Sequence, residues 1–127
     1  MKKLIDKNML IYYVDKYSLH SYLNKNLLNS LEIHTFTKNE YLCSLNEKLF
    51  YIYFLVEGKY KVTTLLSGGK SLLLCFNTPL SVMGDIEFIE NPYADCNVQA
   101  LESCICLALP LNKIKEYGYN DPVFLRF

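Results

Sequence analysis

From Leu31 onward, apolar residues come in short runs cut by turn-forming clusters, and this spacing restricts the fold more than any other feature. The strongest run is Leu49-Phe50-Tyr51-Ile52-Tyr53-Phe54-Leu55-Val56, which no charge interrupts, as expected of a strand covered on both faces. Glu57-Gly58-Lys59 turns it into residues 60–66, which alternate apolar and polar and so predict one wet face. Ser67-Gly68-Gly69-Lys70 has two glycines free to take positive φ and predicts a hairpin into residues 71–76. Residues 31–36, 41–43, 95–101 and 104–109 add four more to these three, towards an expected set of about eight short strands. With helices segregated to the ends, this pattern predicts a mainly β fold, a small barrel or jelly roll.

The flanks read differently. In residues 6–16, Met9, Leu10, Tyr13 and Val14, with Tyr17 just beyond, form a helical stripe, and Asp6 stands where an N-cap belongs. Residues 18–23 predict a second short helix, with Asn24-Lys25-Asn26 as its stop. Pro110-Leu111-Asn112 opens a helix that holds Ile114 and Tyr117 and is closed by Gly118. Asp121-Pro122 punctuates the start of a further helix, which implies a longer protein. The organisation expected is a helical lead-in at 1–30, a β-barrel at 31–110, and the start of exit or dimerisation helices at 111–127.

Composition excludes several functions. Thirteen basic residues balance thirteen acidic ones, without the basic stripe of a stand-alone DNA binder. Met1-Lys2-Lys3-Leu4-Ile5 imitates the start of a signal peptide, but Asp6, Lys7 and Asn8 end the apolar run. No window approaches the roughly 18 apolar residues of a membrane span, so a cytoplasmic protein with no membrane partner is expected. Cys43, Cys75, Cys96, Cys104 and Cys106 include no C-x-x-C pair and are read mostly as reduced core residues. The rival is an iron–sulfur or zinc sensor, with Cys104 and Cys106 on one face of a strand. His20 and His34 lack partner motifs and are expected at solvated positions, so neither a metal nor a cofactor is assigned. A metal enzyme on a cupin-type barrel needs clustered inward His and carboxylate ligands, which this chain does not offer.

Met83-Gly84-Asp85-Ile86-Glu87-Phe88 suits a tight bend into a short helix. Gly84 has no Cβ to hold a bound group away, and the amides that follow would form an anion-binding start.

Three motifs in order resemble the sensor domain of the CRP/FNR family of bacterial transcription regulators, a cyclic-nucleotide-binding jelly roll. Tyr53-Phe54-Leu55-Val56-Glu57-Gly58-Lys59-Tyr60-Lys61-Val62 is similar to the family's F-L-x-x-G-x-x-x-V hairpin. Gly68-Gly69-Lys70-Ser71 through Leu74 is similar to its G-(R/K)-x-x-x-L turn and strand. Met83-Gly84-Asp85-Ile86, then Asn97-Val98-Gln99-Ala100-Leu101 and Cys104, resembles the phosphate-binding cassette and the strand that leaves it.

The resemblance implies an effector site at Gly84, Asp85, Ile86, Tyr93, Ala94 and Asp95. Members that bind cyclic AMP carry Gly-Glu and, later, an arginine that pairs with the cyclic phosphate. Here Asp85 replaces the glutamate, Ala94 falls at the arginine position, and no Arg or Lys lies between Gly84 and Ala100. Asp85, Glu87, Glu90 and Asp95 would repel an anion. The expectation is a non-catalytic sensor domain that keeps the barrel, responds to an unidentified small-molecule effector and does not bind cyclic AMP in the usual way. The alternatives are a nucleotide sensor with a degenerate cassette and a stand-alone interaction domain. The family's oxygen-sensing branch uses an N-terminal cysteine cluster, which is absent before Cys43. A homodimer is implied, with DNA bound only through a further C-terminal domain. Val123, Phe124 and Phe127 would contact a partner subunit or dock on the chain's own barrel.

Overall fold

The computed structural model describes residues 1–84 and 91–118. Asp121-Pro122 and the apolar residues after it, like Asp85 and Ile86, lie outside the described residues. Within them the strands are β1 (Lys2–Leu4), β2 (Glu32–Phe36), β3 (Tyr41–Cys43), β4 (Tyr51–Glu57), β5 (Tyr60–Leu65), β6 (Ser71–Asn77), β7 (Ser81–Met83), β8 (Asn97–Ala100) and β9 (Cys104–Pro110). They form two antiparallel sheets, ordered β1-β2-β9-β4-β7 and β3-β8-β5-β6. Two facing antiparallel sheets with flanking helices make the expected jelly roll.

The core follows from the sequence pattern. β9 carries no charge and lies between β2 and β4, where Cys106, Leu107, Ala108 and Leu109 have no exposed surface. β4 is the long apolar run, and Ile52 through Val56 are all buried between β9 and β7. β5 and β6 are joined by the glycine hairpin, with Gly68 and Gly69 at φ 89° and 80°. β6 is an edge strand, so Leu72, Leu73, Leu74 and Phe76 stay exposed, and Cys75 with them. Cys75 therefore departs from the core role read for most of the cysteines.

The helices pack on this core. Asp6 caps α1 (Lys7–Lys16), its Oδ1 accepting from the Met9 amide at 3.0 Å. The Tyr13 and Tyr17 hydroxyls donate to Glu57 Oε1 at 3.1 Å and to the Val56 carbonyl at 3.3 Å, which ties α1 to the end of β4. Residues 18–23 form only a 3-10 turn, Leu19–Ser21, and not the second helix expected. Asn24, read as part of a helix stop, is instead the N-cap of α2 (Lys25–Asn29), accepting from Leu27 N at 2.9 Å. The side chain of Asn24 also donates to the Tyr117 carbonyl at 2.8 Å, joining α2 to α3 (Leu111–Tyr117). Its cap role won because Leu27 is fully buried and needs the following turn to be helical.

Two strands were not foreseen. Residues 2–4 pair with β2 in the register Lys2↔Thr35, Lys3↔His34 and Leu4↔Ile33. Residues 81–83 pair with β4. Both are three-residue edge strands whose pairing comes from a distant partner, and periodicity does not register over so short a stretch.

Gly58, at the turn from β4 to β5, takes φ +100°. A Cβ there would lie 2.5 Å from the Ser103 carbonyl oxygen and 2.9 Å from Cys104 Cα. The β4–β5 turn thus rests directly on the β8–β9 turn, and Leu101 N donates to the Lys59 carbonyl at 2.9 Å.

Candidate functional site

The residues expected to form the effector site fall on two sheets. Gly84 follows β7 at the edge of the five-stranded sheet with φ +113°, so the tight bend is present and suits glycine. Met83 before it is buried and pairs with Tyr53. Tyr93, Ala94 and Asp95 lie on the segment that leads into β8 of the other sheet.

That segment is zipped to the loop between β3 and β4. Ala94 N donates to the Glu47 carbonyl at 2.9 Å, and Asn46 N donates to the Ala94 carbonyl at 2.8 Å. Tyr93 bridges Lys48, and Asn97 Oδ1 accepts from Leu45 N at 2.7 Å. Ala94 is 3% exposed, so its methyl group is core and both its backbone groups are bonded. Tyr93 is exposed and reads as rim, while Asp95 points to solvent, and its carbonyl accepts from Thr64 Oγ1 at 3.4 Å.

The largely apolar interior of the roll also holds hydroxyl, thiol and imidazole groups. Tyr60 hydroxyl and Ser81 Oγ lie 2.9 Å apart. His34, expected at a solvated position, is wholly buried. Its Nε2 lies 3.0 Å from Glu32 Oε1 and its Nδ1 lies 3.0 Å from the Tyr53 hydroxyl. Tyr51 packs edge-on against the imidazole, with ring centroids 4.7 Å apart. Partial burial opposes ionisation of Glu32, but hydrogen bonds from His34 and Lys3 outweigh it and hold its carboxyl below the usual range. A carboxylate can only accept, so the Nε2–H donates to it, and Nδ1 shares the second bond with the Tyr53 hydroxyl. Only a weak hint of this lies in the sequence, and the burial itself depends on strands that are distant along the chain. Glu32, His34 and Phe36 alternate along one face of β2, and of its two neighbours β9 carries no charge, whereas β1 brings Lys3 to Glu32.

Burial pushes the Cys43 thiol up to about 12, and it also raises Cys96, Cys104, Cys106 and Tyr53. Such thiols stay protonated and are poor nucleophiles, which counts against redox sensing at these positions. Cys104 and Cys106 share one face of β9, as expected, and that face is buried. Among the described residues no group of three or more His, Cys, Asp or Glu side chains is placed to hold a metal ion.

The raised thiols have a consequence for stability. In the unfolded chain a thiol ionises near pH ~8.5, whereas the folded state retains the Cys43 proton to about 12. Rising pH therefore favours the unfolded chain, with nothing lost below that window. Between pH 7 and about 9.5, urea unfolding is expected to lose about 1.4 kcal/mol through the Cys43 thiol. Cys43→Ala should flatten that slope, and an unchanged slope would show that Cys43 ionises freely in the fold.

A two-sheet jelly roll with a positive-φ glycine at the cassette bend and a returning segment that enters β8 is the architecture of a nucleotide-sensor domain. A profile of the cyclic nucleotide-binding domain matches residues 33–118, and the chain belongs to that family. It is 30% identical over 91 residues to the regulatory protein YeiL of Escherichia coli O157:H7, covering 72% of this chain and 42% of the relative. The chain thus spans less than half the length of that curated relative. The sensor domain of the transcriptional regulator DNR from Pseudomonas aeruginosa superposes with a TM-score of 0.74 at 18% identity, covering 94% of this chain and 83% of that one. The guanosine-bound regulatory subunit of a cAMP-independent protein kinase A from Trypanosoma cruzi gives 0.71 at 20% identity, covering 91% and 48%. At these identities the two structures speak for the fold.

Proposed function

We propose that this chain is the effector-sensing domain of a CRP/FNR-like bacterial transcription regulator whose cassette no longer holds a cyclic phosphate. The observation that carries the reading is Ala94. It occupies the position where the resemblance requires an arginine, it is buried, and both its backbone groups are spent on the 46–47 loop. The chain from Gly84 to Ala100 supplies no other cation. Among the described residues, no buried side-chain N or O atom lacks a hydrogen-bond partner, so no orphaned donor waits for an anion. A buried phosphate without a charge-assisted partner is costly.

In this reading residues 1–30 are the lead-in, 31–110 the sensing barrel, and 111–127 the start of the exit helices. The domain is non-catalytic and works in the cytoplasm. The exit helices pair two copies, and DNA is held by a further domain of the longer protein. An effector shifts the population of exit-helix arrangements and thereby DNA affinity. Gly84, Asp85, Ile86, Tyr93, Ala94 and Asp95 remain the positions proposed to face that effector. A nucleoside without phosphate is a class such a pocket can still accept, as the kinase subunit that binds guanosine illustrates for the fold.

Calorimetric titration of the purified chain with cyclic AMP, cyclic GMP and guanosine tests this. No saturable heat is expected from either cyclic nucleotide up to about 1 mM, which corresponds to binding weaker than about 4 kcal/mol. Micromolar binding of either one would overturn the reading of Ala94 and restore an ordinary nucleotide sensor with an unusual anion site.

A further inference from the structure

A groove lies where the start of β4, the returning segment and α3 meet. Its volume is about 630 Å³, in the range of small-molecule sites. Lys48 and Phe50 form one wall, Pro92 a second, and Leu111, Asn112 and Lys115 the third. Backbone bonds set the walls in place. Leu111 N donates to the Phe50 carbonyl at 2.9 Å, Leu49 N donates to the Pro92 carbonyl, and Tyr93 bridges Lys48.

The lining combines buried Leu49 and Leu111 with exposed Phe50 and two exposed lysines. Phe50 is 63% exposed, which is unusual for a phenylalanine with no role, and the Lys48 ammonium stands 5.7 Å from its ring. Lys48 and Lys115 are both exposed, and neither forms an ion pair with a carboxylate among the described residues. Glu116, the neighbour of Lys115 in the helix, instead pairs with Lys113 at 3.6 Å. No Asp or Glu is among the described residues that line the groove.

We infer that this groove is a second small-molecule site, distinct from the cassette, for a compact apolar compound carrying one carboxylate. Two lysines that have no ion pair among the described residues complement one anionic head, and Phe50, Pro92 and Leu111 cover an apolar body. A nucleic acid is disfavoured because two lysines cannot follow a phosphate backbone. The walls belong to the segment that carries Ala94 and to the helix that leaves the barrel, so occupation ties those two together. The inference does not depend on whether the cassette binds a cyclic nucleotide.

The test uses amide NMR of the chain with 1-naphthoate as probe and its neutral analogue 1-naphthalenemethanol. Saturable shifts are expected at Phe50, Tyr51, Asn112 and Lys115, with the neutral analogue at least about fivefold weaker because it lacks the charge-assisted contacts. The double variant Lys48→Gln/Lys115→Gln changes only exposed side chains and should weaken 1-naphthoate about tenfold, or about 1.4 kcal/mol. The inference is overturned by no saturable shift up to about 5 mM, a very weak binding limit. Equal binding of the neutral analogue would overturn it too, as would shifts centred on β5 and Gly84, or an affinity that the double variant leaves unchanged.

Discussion

Gly58→Ala is expected to lower the unfolding free energy by about 3 kcal/mol, a large share of what a small domain has. Two costs combine. A side chain at φ +100° is strained whatever space is available. The added Cβ would also meet the Ser103 carbonyl oxygen at 2.5 Å and Cys104 Cα at 2.9 Å, both backbone atoms that cannot rotate away. Relief requires separating the β4–β5 turn from the β8–β9 turn, which strains the bond from Leu101 N to the Lys59 carbonyl. Urea unfolding at neutral pH with the slope compared to the parent chain is the measurement. A loss below about 1 kcal/mol would mean that the two turns separate without cost and do not clamp the sheets together. Gly68 and Gly69 provide the contrast, since a Cβ at either meets nothing within 4 Å and only the positive φ is penalised.

The second large effect is at His34. His34→Ala removes a fully buried ring and leaves the Tyr53 hydroxyl and the Glu32 carboxylate each short of a partner. Cavity formation together with the unpaired groups is expected to cost about 3 kcal/mol. Tyr53→Phe removes only one hydroxyl and should cost about 1 kcal/mol. Because the two side chains share a bond, the double variant should cost less than the sum of the singles by about 0.5 kcal/mol or more. Strict additivity would show that the network is a coincidence of packing. The same variants should loosen β1, because Glu32 also pairs with Lys3 at 3.3 Å and β1 is an edge strand held by one neighbour.

These two residues divide what was legible beforehand from what was not. Gly58 was readable as a turn from its neighbours, because turn chemistry depends on local backbone freedom. Its close approach to Ser103 was not, since that neighbour is far along the chain. His34 was placed at a solvated position because a lone histidine carries no local sign of burial. Its environment is set by β4 and β9, which approach only when the sheet forms.

The candidate site splits the same way. The bend at Gly84 was visible as a glycine before a carboxylate, and the missing cation between Gly84 and Ala100 could be read directly from residue types. That Ala94 is core, with its backbone zipped to residues 46–47, depended on a loop far away along the chain. The groove was invisible for a stronger reason, since its walls come from three separated segments and no one of them has a distinctive pattern.

Periodicity, turn residues and charge absence are properties of a short window, so the sequence by itself determined the longer strands, the β5–β6 hairpin, the mainly β class and the absence of Arg or Lys between Gly84 and Ala100. Burial, pKa shifts and concave surfaces depend on atoms brought together from distant windows. The fate of His34, Ala94 and Phe50 was therefore decided only when the two sheets closed on each other.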